Sequence, residues 1–253
     1  MPVVKLTLAY DGTRYAGWQV QPNGPSIQAE VERALSALHK APRRVTAAGR
    51  TDAGVHARAQ VCSFPEERPL PEKAYVMGMN ALLPPDIAIS AAALLPEGFD
   101  ARRSARGKRY CYRIENRPTR FPIGRAYAWQ LFRPLDAGAM GEAAALLTGR
   151  HDFAAFQASD CEARHAVRDL GRLEVRPEGE ALVVVAEATA FVKHMVRNLV
   201  GTLVEVGLGK RPPAWVAEVL ASRDRKRAGP TAPPQGLALE CVFYGDELHA
   251  QGG

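Results

Sequence analysis

The spacing of apolar residues changes repeatedly along this chain, and the same succession of spacings occurs in both halves. Near the N-terminus, Val4, Leu6, Leu8 and Tyr10 alternate with more polar residues, which is typical of a half-buried strand. Ser26 then precedes a segment whose apolar residues recur every three or four positions, as in a capped helix. Because each half offers several strands and two helices, we predict an α+β protein of two similar subdomains with an active site between them.

The remaining elements follow from the same two periods and from their caps. A proline-containing stretch begins at residue 117 and reads as a crossover, so we place the subdomains at residues 1–116 and 117–253 of one integrated catalytic unit. The residues after Tyr244 are expected to fray. Strands are predicted near residues 45, 60–64, 87–94, 108–114, 167–175, 181–188 and 237–243, and helices at 71–83, 136–147, 191–206 and after 213.

One carboxylate stands alone among small residues in the first half. Asp52 is the only acid in the range 41–65, and Gly49 and Gly54 bracket it. Two glycines so close together let the main chain turn sharply and approach a bulky ligand. The alternative is a surface turn in which Asp52 bonds its own backbone. The flanking strand patterns place Asp52 on the connection between two strands.

Positive charge is concentrated in one segment. The chain has a net charge of +6, yet residues 101–125 hold nine basic side chains and one acid, Glu115, so this segment alone carries +8. Such a patch suits a phosphate backbone. Within it, Tyr110 and Tyr112 alternate with Arg109 and Arg113. This alternation is natural for a sheet that receives RNA, although tyrosines at alternate positions are also common in a protein core.

Other classes of protein are disfavoured. No run of about 18 apolar residues occurs, and the chain begins with a strand pattern instead of a signal sequence, so we expect a cytoplasmic protein that does not enter a membrane. The four cysteines are widely spaced and form no Cys-x-x-Cys pair, so we expect no zinc ribbon, no dense disulfide framework and no metal site.

Five short motifs stand out in the sequence: GRTDAGVHA at 49–57, YDGTRYAGWQ at 10–19, HDF at 151–153, FVKHMVRNLVG at 191–201 and GLAL at 236–239. Together they resemble the tRNA pseudouridine synthase A family. The match at residues 49–57 is specific, because it reproduces the family signature around its catalytic aspartate. The resemblance spans nearly the whole chain.

This resemblance implies a fold, a substrate and an assembly. Family members consist of two ferredoxin-like (RRM-like) subdomains with mostly antiparallel sheets around a central active-site cleft, and they work as homodimers. They isomerise uridine to pseudouridine at positions 38, 39 and 40 in the anticodon stem-loop of tRNA, without a cofactor or a metal.

The resemblance also implies a role for each site residue. Asp52 corresponds to the catalytic carboxylate, and Arg197 to the arginine that forms a salt bridge with it. Tyr110 matches the active-site tyrosine that stacks on the base, and Leu237 the apolar residue that packs against it. Arg50 matches the arginine that fills the space left by the flipped nucleotide. The RNA-binding residues are expected in the loop at 11–25 and in the basic segment: Arg14, Arg102, Arg103, Arg106, Lys108 and Arg109.

Two questions stay open at the level of sequence. Asp52 could attack the anomeric carbon or remove the 2′ proton to form a glycal. The chain could instead be a non-catalytic RNA-binding protein, or a nucleoside hydrolase, which would require a second carboxylate and a water site. The RNA-binding alternative leaves unexplained why a lone acid lies among cations.

Overall fold

The computed structural model describes residues 1–22, 24–161 and 163–245. Within these ranges the chain forms ten strands and five α-helices. The strands are β1 (Val3–Tyr10), β2 (Thr46–Ala47), β3 (His56–Pro65), β4 (Ile87–Leu95), β5 (Gly107–Asn116), β6 (Trp129–Leu131), β7 (Gly149–Asp152), β8 (Val167–Glu178), β9 (Ala181–Ala188) and β10 (Leu237–Phe243). The helices are α1 (Ile27–His39), α2 (Glu72–Leu82), α3 (Ala137–Ala145), α4 (Met195–Gly207) and α5 (Trp215–Ser222).

The elements group into two units that are not simple halves of the chain. The first unit contains Met1–Arg106 and takes up the chain again from Ala238, whereas the second contains Gly107–Leu237. The α+β class and the mostly antiparallel pairing are confirmed.

The sheet of the first unit has the order β4-β1-β3-β10, with β2 also paired to β3. β1 is antiparallel to both β3 and β4, and Leu6 lies opposite Cys62 on one side and Ala92 on the other. β10 is parallel to β3, where Ala238 is paired with His56. This pairing brings the last strand beside the start of β3, which immediately follows the Asp52 turn.

In the second unit the sheet order is β5-β9-β8-β7, all antiparallel, and β6 lies parallel to β5. Every residue of β9 is buried. α3 packs against β8 and α4. These contacts place α4, which carries Arg197, in the core of its unit, in keeping with its wide apolar face.

Local sequence signals set most of the helix boundaries. The Ser26 hydroxyl accepts a hydrogen bond from Ala29 N at 3.3 Å, and the Asp136 carboxylate accepts one from Ala139 N at 2.9 Å, so both predicted N-caps are confirmed. The predicted start of α4 near residue 191 is wrong. His194 has a φ of +63°, which a helix cannot contain, and α4 therefore begins only at Met195.

No helix in the described ranges combines the length and the hydropathy needed to cross a bilayer. The prediction of fraying after Tyr244 concerns mostly residues 246–253, which lie outside the described residues.

Candidate active site

Asp52 lies on a tight turn between β2 and β3 in the first unit. Val55 N donates a hydrogen bond to Asp52 O at 3.1 Å, and Gly54 adopts a φ of +75°, which glycine reaches without strain. The Asp52 side chain is half-buried, whereas Arg50, two residues earlier in the same loop, is exposed. The turn thus presents a carboxylate at the protein surface, on main chain whose conformation is fixed by the Val55 hydrogen bond.

The loop that follows β1 supports this turn by direct main-chain contact. Trp18 N donates to Thr51 O at 3.1 Å, and Gly54 N donates to Tyr15 O at 3.3 Å. A Cβ atom at Gly17 would lie 2.6 Å from Thr51 O, so no other residue fits there without displacing the turn. Gly17 also has a φ of +105°. Its small size is therefore what allows the loop to reach the Asp52 turn.

The strands beside the turn fix it through buried polar groups. The Tyr10 hydroxyl lies 2.8 Å from the Thr51 hydroxyl, and Gln60 Nε2 donates to Gly49 O at 2.9 Å. All three side chains are buried, and burial raises the pKa of Tyr10 to about 12. Tyr10 is therefore a neutral hydrogen-bonding group near pH 7, and it anchors Thr51 directly before Asp52.

Replacing Gly17 by Ala tests this support. We expect Gly17→Ala to lower the free energy of unfolding by about 2–5 kcal/mol, because roughly 1–2 kcal/mol of backbone strain adds to roughly 1–3 kcal/mol of overpacking. Gly98→Ala is the matched control, since Gly98 has a φ of +96° but no heavy atom within 4 Å of its Cβ position. Urea unfolding should show only the strain cost for Gly98→Ala, and equal losses for both variants would contradict the close contact.

The aromatic and basic residues of the N-terminal loop have different surroundings. Tyr15 and Trp18 are buried, and the Tyr15 hydroxyl donates to the Asp86 carboxylate at 2.7 Å, so both side chains belong to the local packing of the loop. Arg14 is exposed, and its Nε donates to the Asp86 carboxylate at 2.9 Å. Of the aromatic and basic side chains in this loop, Arg14 is the one on the surface.

Tyr110 lies on β5 in the second unit and is 7 % exposed. Its ring meets that of Phe191 edge to face, with centroids 5.1 Å apart. Phe191 lies just before the turn at residues 193–194 that leads into α4. The neighbouring Tyr112 is fully buried, its hydroxyl donates to Pro233 O at 2.7 Å, and burial raises its pKa. Both of these tyrosines of β5 are therefore buried.

Arg197 occupies the first turn of α4, and its side chain is anchored. Its Nε donates to Ala232 O at 2.7 Å, and Ala232 N donates to Arg197 O at 3.1 Å. A Cβ atom at Gly236 would lie 2.6 Å from the Tyr112 ring, so the chain passes directly over this tyrosine. It then reaches Leu237, which begins β10 and is buried. The segment at residues 232–236 therefore contacts both Arg197 and Tyr112 before the chain reaches Leu237.

The basic segment divides into exposed and ion-paired residues. Arg102, Arg103 and Arg106 are exposed on the first unit, and Arg103 Nη2 also lies 3.8 Å from a carboxylate oxygen of Asp100. In the second unit, Arg109 Nε lies 2.8 Å from a carboxylate oxygen of the buried Glu187. Further along, Arg113 pairs with Glu115 and Glu178, and Arg117 with Glu180. Lys108 is half-buried on β5. Glutamates of the same unit therefore neutralise part of the positive charge of the segment at residues 101–125.

The described residues contain no group of three or more His, Cys, Asp or Glu side chains arranged to hold a metal ion. The candidate residues are instead distributed over the two units. Arg14, Arg50, Asp52, Arg102, Arg103 and Arg106 belong to the first, and Lys108, Arg109, Tyr110, Arg197 and Leu237 belong to the second.

Sequence reasoning missed one group of residues near Arg197. Asn198, Arg225 and Thr231 are joined by hydrogen bonds, and Asn198 is fully buried. The only signal for them was an amide within an otherwise apolar helix and an arginine-rich loop after residue 222. Neither signal indicates a partner.

Comparison with known proteins identifies the family. The profile described as tRNA pseudouridine synthase matches residues 7–102 and 143–245. tRNA pseudouridine synthase A of Myxococcus xanthus is 63 % identical over 247 residues, which cover 97 % of this chain and 93 % of that protein. The enzyme of the same name from Geobacter sulfurreducens is 49 % identical over 244 residues, covering 96 % of this chain and all of the relative. The corresponding protein of Methylococcus capsulatus is 49 % identical over 246 residues, covering 97 % and 90 %. A match of this extent and identity shows that the chain belongs to the tRNA pseudouridine synthase family, whose members are isomerases acting on uridine in tRNA.

Proposed function

We propose that this protein isomerises uridine to pseudouridine at positions 38, 39 and 40 in the anticodon stem-loop of tRNA, with Asp52 as the catalytic carboxylate. The observation that carries the proposal is the Asp52 turn. It presents one half-buried carboxylate on main chain held by Gly17 and Thr51, in a stretch that contains no other acid. The names of the relatives support the reaction.

The reaction requires three events at the target nucleotide. The bond between N1 of uracil and C1′ of ribose breaks, the base turns, and a bond forms between C5 and C1′ before the C5 proton leaves. Hydrolysis of a glycosidic bond uses two carboxylates, one of which protonates the leaving group. One carboxylate suffices here because the uracil anion remains in the site. Asp52 either attacks C1′ or removes the 2′ proton, and both routes require its ionised form.

The other site residues are assigned supporting roles. Tyr110 stacks on the base and helps to remove the C5 proton, and Leu237 packs against the base. Arg50 fills the gap left by the flipped nucleotide, in agreement with its exposure at the surface. Arg197 supplies the positive charge that keeps Asp52 ionised. No step requires a cofactor.

The finer architecture belongs to the same proposal. The order β4-β1-β3 with two helices in the first unit supports a ferredoxin-like fold, and we assign the same fold to the second unit. We further propose that the protein acts as a cytoplasmic homodimer. Sedimentation at micromolar concentration would give the mass of two chains, whereas a monomer that retains full activity would contradict the dimer.

The direct test is incubation with unmodified tRNA, followed by carbodiimide mapping of pseudouridine. Modification at positions 38 to 40 is expected. Release of free uracil would indicate a hydrolase instead. Tight binding with neither product would indicate a non-catalytic RNA-binding protein.

The exposed arginines should govern the salt dependence of tRNA binding. Replacing Arg102, Arg103 or Arg106 by alanine should reduce the slope of log Kd against log salt by about one unit for each phosphate group that the variant no longer neutralises. Arg113→Ala removes the same charge from a residue that pairs with Glu115 and Glu178, and it should leave the slope nearly unchanged. Unchanged slopes for all three exposed variants would place the RNA elsewhere.

A further inference from the structure

The orientation of the Arg197 side chain depends on a segment more than thirty residues away in sequence. Ala232 accepts the Nε hydrogen of Arg197 and donates its own N–H to Arg197 O, at 2.7 and 3.1 Å. Because the guanidinium is planar and rigid, fixing its Nε hydrogen also fixes the direction of the remaining fork. Any displacement of Ala232 therefore turns the charged end of Arg197.

Residues 229–232 lie directly on α4. A Cβ atom at Gly201 would be only 1.7 Å from Pro230 O, which shows that main chain meets main chain at this point. Gly229 N donates to the hydroxyl of the buried Thr202 at 3.0 Å. This contact sets the distance between the segment and α4. The position of Ala232 along the helix axis requires a second restraint.

Three side chains supply that second restraint. Asn198 Oδ1 accepts hydrogen bonds from Arg225 Nη2 at 3.0 Å and from the Thr231 hydroxyl at 2.6 Å. Arg225 also donates from Nη2 to the Thr231 hydroxyl at 3.0 Å and from Nη1 to Gly229 O at 2.9 Å. The three groups thus form a closed ring of hydrogen bonds. This ring joins α4 to Thr231, and Arg225 extends it to Gly229, so both ends of the segment at residues 229–231 are held. The Asn198 amide donates to Phe156 O at 2.8 Å, so the amide group cannot turn over.

We propose that Asn198, Arg225 and Thr231 are positioning residues for Arg197. The ring fixes the segment, the segment fixes Ala232, and Ala232 fixes the guanidinium. The inference rests on the proposed function, in which Arg197 serves the Asp52 carboxylate. Since the three residues act through Arg197, their loss should change kcat and its pH dependence more than the affinity for tRNA.

Thr231→Val is the most informative variant. Thr231 is partly exposed, so the change removes a hydroxyl with little effect on packing. We expect kcat to fall about tenfold, because a small misplacement of a catalytic group is costly, while KM and tRNA affinity stay the same. The acid limb of the pH–rate profile should move to higher pH. Thr231→Ser keeps the hydroxyl and should restore both properties.

Thr148→Val is the matched control in the same unit. The Thr148 hydroxyl donates to Ala145 O at 2.8 Å and is equally half-buried, but it has no connection with residues 229–232. The control should keep the wild-type rate and pH profile. Thermal unfolding of both valine variants would exclude a general loss of structure as the cause of a lower rate.

A double-mutant cycle separates positioning from an independent structural role. In an Arg197→Lys background the Nε contact with Ala232 is absent, so Thr231→Val should cause no further fall in kcat. An equal fall in both backgrounds, or a wild-type rate and pH profile for Thr231→Val, would overturn the proposal while leaving the proposed function intact. Failure of the proposed function gives a different result, since the wild-type protein would then form no pseudouridine at positions 38 to 40.

Discussion

Asp52→Asn is expected to abolish pseudouridine formation while tRNA affinity stays the same or increases. The amide keeps the size and the hydrogen-bonding shape of the carboxylate, but it can neither attack C1′ nor accept the 2′ proton. Loss of a nucleophile or base of this kind lowers turnover by about 10³-fold or more. Affinity can increase because one negative charge is removed where a polyanion binds. The measurement is tritium release from C5 of labelled tRNA, because isomerisation leaves the mass unchanged.

Glu67→Gln is the matched control for Asp52→Asn. Glu67 is an exposed acid in the same unit, just after β3, and its replacement removes the same charge. Turnover should stay at the wild-type level. Carbodiimide mapping of the Asp52→Asn product gives an independent readout. Substantial pseudouridine formation by this variant would contradict the role of Asp52, and filter binding would confirm that the inactive protein still holds tRNA.

Arg197→Met should lower kcat by about 10²-fold at neutral pH and should move the acid limb of the pH–rate profile to higher pH. A carboxylate that loses a neighbouring cation is protonated more readily, so a larger fraction of the enzyme is inactive at a given pH. Activity is therefore lost as the pH falls, and the loss begins at a higher pH in the variant. Rates at saturating tRNA over the range from about pH 5 to 9 would measure the shift.

Two comparisons make the Arg197 result specific. Arg150→Met removes an exposed arginine from β7 in the same unit, and it should leave the pH profile unchanged. Arg197→Lys keeps the charge without the planar fork, so its profile should resemble that of the wild type even if its rate is lower. A wild-type profile and rate for Arg197→Met would show that Arg197 does not serve Asp52.

The features that sequence predicts well are those whose causes are local. Ser26 and Asp136 cap their helices with their own side chains, and the strand around Leu6 follows from strict alternation. His194 shows the limit of this reasoning. Its left-handed backbone sits inside a stretch with helical periodicity, and periodicity cannot reveal the conformation of a single residue.

Features that depend on pairing between distant residues could not be predicted. Arg109 meets Glu187 because β5 and β9 are paired in one particular register, and 78 residues separate the two side chains. Charge counting along the chain therefore overestimates the positive surface of the basic segment. The ring around Asn198 is hidden for the same reason, since Thr231 lies 33 residues away on a loop without periodicity.

The path of the chain through the two units has a consequence for biosynthesis. The first unit contains β1 and, from Ala238 onward, β10, which pairs with β3 at Ala238 and Leu239. During translation the whole second unit, Gly107–Leu237, is synthesised before Ala238 is added. We therefore expect the sheet that supports the Asp52 turn to be completed only after the second unit has been synthesised. A purified chain that ends at Leu237 should therefore be cleaved at the Asp52 turn faster than the full-length protein.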